Sequence, residues 1–484
     1  MRKIRLFFIV CLIIISAHIS VNAAEYKDVL RVGLSYGGSA KATASFSSNA
    51  DIDIYNVNTE EYIATIDPGT TFTLNAREAM VQCDYFESVT DVVRIESTDT
   101  IFYNGKEYRG AFEVRNNGDL LRVINIVKMD DYLASLLGKE MSASWPIEAL
   151  KAQAVCARNY AITIGGKHSS YGFDICAEQH CQVYGGVSSE AVSTRRAVRE
   201  TQGVVVTYED EIVPLYYFSC DGGYTENSED VWTAALGYLR GKKDIYENPQ
   251  YATRYNWSVT FTKEQIEDIL YKKNKSVGEL LDVVIEEKSE NNGVIKLTFI
   301  GTEGETSITK SSVRSYFNLY SNTFTIERHK NEAEEEETAY PTLNVLTGSG
   351  ISEIEKPSYV LSSNGLYEIS YDAEEEEKIE EGFDSYTLNG HGWGHLVGMS
   401  QWGAYSMAVE GYSYKDILNF YFTDIEIAQN VVVEEEDKTE FVTDNEVEIE
   451  EPTEEELDAE AESEEFEETE NDGNDDIQWS DTGL

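Results

Sequence analysis

The sequence predicts an α+β fold: a β-rich N-terminal part, a mixed α/β part and a disordered acidic C-terminal tail. Three observations predict it. Apolar and polar residues alternate from Val29 to about Val127, the period turns helical at Asp130, and acidic residues take over from Glu434.

The chain opens with "MRKIRLFFIVCLIIISAHISVNAAE", a basic start, an apolar run and the small-residue spacing Val21-Asn22-Ala23. This reads as a signal peptide over 1–24 and predicts export. An uncleaved anchor is the competing reading, because flanking residues can lengthen a short apolar run; a membrane is met only through this segment. A β-rich domain over 25–127 is built from "LRVGLS", "DIDIYNV", "YIATI", "DVVRIES" and "LLRVINIV", with Gly, Asn and Asp between them. Asp130 or Asp131 caps a helix through about Glu140. Ser144, with Pro146 in the first turn, starts a second, which carries Ile147, Leu150, Ala154, Ala157 and Ala161 on one face and stops at Gly165-Gly166. Residues 171–240 mix strands with Gly-rich turns, so 128–240 is the first part of the mixed domain. An α/β subdomain over 241–330 and an acidic insertion over 331–385 follow, the latter with "NEAEEEET" and "DAEEEEKIEEGFD". The second part of the mixed domain spans 386–428, where Ser413 begins a last short helix.

The net charge of -51 is concentrated in that insertion and in residues 429–484, which cannot bury enough apolar surface to offset chain entropy. Nucleic acid is excluded as a partner, because phosphate neutralisation needs clusters of Lys and Arg that this chain lacks.

Four blocks carry the Gly, aromatic and uncharged polar residues that polar ligand sites use: "YLASLLGKEMSASWPIEALKAQAVCARNYA", "HSSYGFDICAEQHCQVYGG", "YFSCDGGYTENSEDVW" and "NGHGWGHLVGMSQWGAYSMAVEGYSYKDILNFYF". In the first, Glu140 stands at the seam between two helical patterns, where a helix end raises a carboxyl pKa. Glu148, in the next first turn, is favoured by the dipole and reads as structural. In the second, His168, Cys176, His180 and Cys181 make a tetrahedral zinc set by ligand type, though not at zinc-finger spacing. A disulfide, with Cys220 as a further partner, and free thiols are the competing readings. Once Cys11 leaves with the signal peptide, Cys83, Cys156, Cys176, Cys181 and Cys220 are odd in number, so at least one thiol stays free or binds metal. In the fourth, His391 and His395 are separated by two glycines, which argues against the helix that two metal ligands on one face need. A Gly-rich loop instead lets backbone approach a ligand, with Trp393 or Trp402 as a stacking face and His395 and Gln401 as orienting groups. Trp402, Ala404 and Met407 read as core. "SCDGG" lacks the pattern and relay of a serine or cysteine hydrolase.

Taken together, "GKEM…WPIEALKAQAVCARNYA", "CQVYGG", "FSCDGGYTENSEDVW" and "GHGWGHLVGMSQWGAYSMA…ILNFYF" resemble the sporulation stage II protein D family, also described as the amidase-enhancer LytB domain, over most of 120–425. The resemblance implies a catalytic domain with a substrate cleft, divided between 128–240 and 386–428. It implies a lytic transglycosylase that cleaves the MurNAc-GlcNAc bond of peptidoglycan glycan strands, denuded of stem peptides, to 1,6-anhydro ends. It places the catalytic acid on Glu140, Ser219 and Asn227 beside the cleft, and structural zinc on His168, Cys176, His180 and Cys181. Gln153 and Arg158, in the helix after Glu140, are further candidates for holding substrate or the Glu140 region. Amidases are the implied protein partners, and the expected location is extracytoplasmic, in the cell wall or associated with the membrane. Two alternatives stand beside this reading: a non-catalytic scaffold or amidase enhancer that binds glycan, and a hydrolase using Glu226, Glu229 or Asp230 as a second carboxylate.

Overall fold

The alternating segments form strands because each buries one face. In the computed structural model, which describes residues 26–86, 90–178, 180–330, 382–429 and five short strands among 342–368 and at 432–433, they assemble into two sheets. One has seven strands, ordered Ile175–Cys176, Val29–Ser35, Leu121–Lys128, Ala111–Asn116, Val92–Ser97, Ile52–Asn56 and Tyr62–Ile66. The other has five: Lys106–Tyr108, Ile101–Tyr103, Thr43–Ser48, Phe72–Arg77 and Met80–Gln82. Phe46 of the second meets Phe112 of the first edge to face, ring centroids 5.3 Å apart, in a core that also takes Ile54, Leu74 and Val93.

The strand Leu121–Lys128 runs directly into helix α1, Met129–Glu140. Lys128 occupies the cap position without a side-chain cap bond, and Asp130 and Asp131 sit in the first turn, so they complement the helix dipole instead of capping. Helix α2, Ile147–Ile164, is capped at Pro146, which leaves Ser144 in the preceding loop. Gly165 ends it and Gly166 follows at φ 94°. The single apolar face expected of α2 is a correction. Ala149, Leu150, Ala152, Gln153, Ala154, Val155, Cys156, Ala157, Arg158 and Asn159 are all buried, because α2 runs through the middle of the core. Packed around it are α1, α3 (Val192–Glu200), α4 (Gln401–Val409) and α5 (Tyr414–Tyr421). Five alanines keep it thin enough for that. Ser413 caps α5 as expected, its hydroxyl accepting from the Asp416 N–H at 3.3 Å.

The strands of 26–128 share one hydrophobic core with these helices, so the β-rich part and the mixed part are a single unit, 26–255 with 391–429. The boundary expected at 240/241 falls at 255/256. Residues 241–255 stay with the first unit because their backbone and side chains hold the 221–227 turn: Thr225 N–H donates to the Lys242 carbonyl at 2.9 Å and Asp244 N–H to Gly223 at 3.0 Å. Unit two, 256–390, has its own core of Trp257, Leu270, Leu297, Phe299, Phe317 and Phe324. Its strand Phe324–His329 pairs antiparallel with Ser385–His391, so the segment expected to begin the second part of the mixed domain at 386 starts as a strand of unit two. The signal peptide reading (1–24), most of the acidic insertion and the tail from 434 lie outside the described residues. Among the described residues no helix is long and apolar enough to cross a membrane.

Candidate active site

Glu140 is the last residue of α1, and the Met141 N–H closes the helix on the Leu137 carbonyl. The residue keeps some solvent contact, but its Oε2 is buried with no hydrogen-bond partner. A short parallel pairing, Tyr217 with Met399 and Phe218 with Ser400, brings two polar groups to it from distant parts of the chain. Tyr217 lies beside the Glu140 carboxyl and lowers its pKa. Ser400 caps α4, accepting from Gly403 N–H at 3.1 Å, and so presents Gln401, whose Nε2 donates to the Glu140 carbonyl at 3.1 Å.

Behind Tyr217 the polar groups form a directed chain. The Tyr132 hydroxyl donates to Gln182 Oε1 at 3.1 Å, and Gln182 Nε2 donates to the Tyr217 oxygen at 3.1 Å, which leaves the Tyr217 proton for Glu140. Burial pushes both tyrosines well above their ordinary pKa, so they remain donors.

Desolvation pushes the Glu140 carboxyl up from 4.5 to about 7, and the hydrogen bonds from Tyr217 and Gln401 to its ionised form pull against it. No carboxylate contributes to the shift. Glu229 is ion-paired with Arg240 at 2.5 Å, which pulls it down to about 2, and Asp230 accepts from Asn227 Nδ2 at 2.8 Å. Glu226 is buried, its N–H bound to the Leu396 carbonyl at 2.7 Å. Beside the α1–α2 loop, Trp145, Trp402 and Tyr405 pack with centroids 4.5 to 5.4 Å apart, all half-buried, and the partly exposed Tyr251 extends them. Trp402, read as core from sequence, is therefore part of a half-open aromatic surface, while Ala404 and Met407 are core.

The other candidate residues divide. Gln153 and Arg158 are corrections, since both are fully buried in α2. Arg158 bridges the Val204 carbonyl at 3.1 Å and Asp130 at 3.4 Å, tying α2 to a strand and to the start of α1. The Gln153 amide is enclosed without a hydrogen-bond partner, out of reach of a substrate. Ser219 is buried, its carbonyl accepting from Trp402 N–H at 3.0 Å. Asn227 holds its own turn, accepting from Gly241 N–H at 2.9 Å. Trp393 exchanges backbone bonds with Cys220 at 2.7 and 3.1 Å. His395 packs against Trp232 and Phe218, with Nδ1 accepting from Val397 N–H at 3.1 Å. Of these, Gln401 alone contacts Glu140. Glu148 is structural, as expected: it takes Lys151 Nζ at 2.7 Å and the Tyr414 N–H at 2.7 Å, joining the first turns of α2 and α5.

Sequence reasoning missed Tyr217 and Gln182. Both lie inside quoted motif blocks, at the head of "YFSCDGG" and within "CQVYGG", and that placement was the available signal.

His168, Cys176, His180 and Cys181 converge, with one donor atom from each within 4.8 Å of all the others. His168 Nε2 lies 3.3 Å from Cys181 Sγ, and His180 Nδ1 lies 3.8 and 3.7 Å from Cys176 and Cys181 Sγ. Separations of this size are the edges of a tetrahedron around a zinc ion bound at ordinary Zn–S and Zn–N lengths, so the donor set fits that metal. A hydrogen bond from Cys181 pulls Cys176 down to about 4 and leaves Cys181 raised. All five described cysteines are free, and Cys220 donates its thiol proton to Glu247 at 2.9 Å. The cluster sits next to Gln182 and is stitched to the large sheet by Ile175–Cys176, which pairs with Val32 and Gly33. A Cβ on Gly33 would fall 2.5 Å from the Phe173 ring that packs on His168.

A family model described as Stage II sporulation protein (SpoIID) matches residues 117–208, which hold Glu140, Gln182 and the Cys/His cluster. Residues 117–208 are thus similar to the SpoIID family. This is the family the motif blocks resemble. A second model, described as a domain of unknown function, matches 237–351. The chain is 28% identical over 409 residues to the amidase enhancer of Bacillus subtilis, covering 79% of this chain and 52% of that protein. It therefore spans about half the length of that relative. It is 26% identical over 321 residues to stage II sporulation protein D of Bacillus subtilis, covering 63% of this chain and 75% of the relative. An uncharacterized protein of Brachyspira hyodysenteriae is 26% identical over 409 residues, covering 84% and 95%.

The raised Glu140 pKa has a consequence for stability. The folded state binds this proton more tightly than the unfolded chain, so its contribution is fully present below about pH 4.5 and is lost as pH rises through about 7. Glu140→Gln removes the buried charge. Its melting temperature should exceed that of the wild type at about pH 8, by the equivalent of at most about 3 kcal/mol, and the gain should vanish at about pH 4. A difference that is the same at both pH values contradicts the shift.

Proposed function

We propose that the chain acts at the cell wall, outside the cytoplasm, as a lytic transglycosylase of peptidoglycan glycan strands, with Glu140 as acid and then as base. The wall-directed role is supported by the similarity to the SpoIID family and by relatives named amidase enhancer and stage II sporulation protein D. The single observation that carries the chemistry is a lone carboxyl, desolvated to about 7 at the end of α1, with no second carboxylate acting on it.

The protonated Glu140 donates to the glycosidic oxygen as the bond from C1 breaks, and positive charge develops at C1 and the ring oxygen. The carboxylate left behind then takes the proton of the sugar's own 6-hydroxyl, whose oxygen closes on C1 to form the 1,6-anhydro ring. Glu140 ends protonated again, so one group serves both steps and no water enters. A pKa near the working pH suits that double task, since the group must give and take a proton with similar ease. Tyr217 and Gln401 hold the ionised form between the two steps. Trp145, Trp402 and Tyr405 offer the aromatic face on which a sugar ring stacks.

In this reading His168, Cys176, His180 and Cys181 hold a structural zinc ion. The metal crosslinks the loop that delivers Gln182 to Tyr217, and it stands apart from the proton transfers. Glycan strands are the substrate, and cell-wall amidases are the protein partners that the name of the first relative suggests. That same name favours a second reading, a glycan-binding enhancer without catalysis, and product analysis separates the two.

Zinc-loaded protein incubated with denuded glycan strands should yield new 1,6-anhydro-muramic ends by mass spectrometry. Glu140→Ala should lose at least about 100-fold of this activity, and Glu140→Asp should recover little. Because the acid must start protonated, kcat/KM should fall as pH rises above about 7. Reducing ends would identify a hydrolase, and binding without new ends would identify the enhancer. For the metal, elemental analysis should find one zinc ion per chain, lost in Cys176→Ser and Cys181→Ser; unchanged zinc in both variants rejects the assignment.

A further inference from the structure

Asp221, Asp244 and Glu247 converge in the interior of unit one, at 1%, 5% and 5% exposure, with one carboxylate oxygen of each within 4.8 Å of the others. Among the described residues none of the three forms an ion pair. Four donors converge on Glu247: Cys220 Sγ and Gly222 N–H on Oε1, at 2.9 and 3.0 Å, and Asp221 N–H and Ser400 Oγ on Oε2, at 2.9 and 2.5 Å. Asp244 accepts from the Tyr246 and Glu247 N–H groups, at 2.7 and 3.1 Å, and from the Tyr421 hydroxyl at 2.5 Å. Asp221 accepts from the Gly223 N–H at 2.6 Å on Oδ1 and faces the Asp244 carboxyl, and its Oδ2 is buried with no donor. Three carboxylates thus share a buried space, with one oxygen lacking a donor.

Like charges at this spacing are tolerated in an interior only if protons or a cation neutralise them. One shared proton removes one charge of three, whereas a divalent cation offsets two and gives the orphan Oδ2 a partner. An all-oxygen donor set without His selects a hard ion, and three carboxylates buried this deeply favour calcium over magnesium, which gives up its water reluctantly.

We propose that Asp221, Asp244 and Glu247 bind a calcium ion, forming a second metal site separate from the Cys/His cluster. The ion joins the 220–223 turn, the 244–247 turn and, through Glu247, Ser400. The first of these follows Tyr217–Phe218, and Ser400 precedes Gln401, so the ion braces the two segments that carry the Glu140 contacts.

The test uses the full chain, zinc-loaded and freed of calcium with EGTA, titrated with calcium by calorimetry and followed by thermal melting. One saturable site per chain should appear, and calcium should raise the melting temperature. In Asp221→Asn and Glu247→Gln that site should weaken by at least about 100-fold and the calcium-dependent rise should disappear, while the zinc content stays at one per chain. Weak binding to the acidic tail is common to all three proteins and cancels in the comparison. If calcium leaves the melting temperature of the wild type unchanged, or binds both variants as it binds the wild type, the site does not exist. The wild-type melt decides the matter even if a variant fails to fold.

Discussion

Withdrawal of one carboxyl group from water is the constraint on which the site depends. Glu140 closes α1 at the dipole's negative end, where a carboxylate is least favoured, and the packing around it removes the solvent that would otherwise support its charge. Full enclosure without polar neighbours would hold the proton permanently. Tyr217 and Gln401 oppose that by bonding to Glu140, and the balance leaves the group near neutrality.

The rest of unit one keeps those neighbours in place. The alanine-rich α2 passes through the middle of the core and lets α1, α4 and α5 approach it closely. The Tyr217–Met399 register fixes Tyr217 and Gln401 together, so a slip of one residue would turn Tyr217 to the opposite face. Gln182 fixes the direction of the Tyr217 proton, and the Cys/His cluster anchors the loop that carries Gln182. The buried carboxylates behind Ser400 brace the other side. Residues far apart in sequence therefore act on one proton.

The helices and Glu140 were legible because they rest on local signals: a change of period, helix-end chemistry and a motif block. The Cys/His cluster was legible by residue type. Arg158 and Gln153 were misread because a heptad-like pattern marks one apolar face and does not reveal that a helix is surrounded. Tyr217 and Gln182 carried no signal beyond their place in the motif blocks, since a tyrosine in a short strand acquires its task from a partner 35 residues away. Asp244 and Glu247 stand in "KKDIYENPQ", which reads as a surface loop until tertiary contacts bury it. The unit boundary at 255/256 was hidden for the same reason, because backbone bonds to 221–227 hold 241–255 in unit one and leave no periodic pattern.

The most direct measurement of the central claim is the titration of the Glu140 carboxyl itself, read as the infrared difference between wild type and Glu140→Gln across pH. The account predicts a protonated carboxyl band that disappears with a midpoint near 7. A midpoint near the ordinary 4.5 would show a solvated helix end, and the chemistry assigned to Glu140 would fall with it.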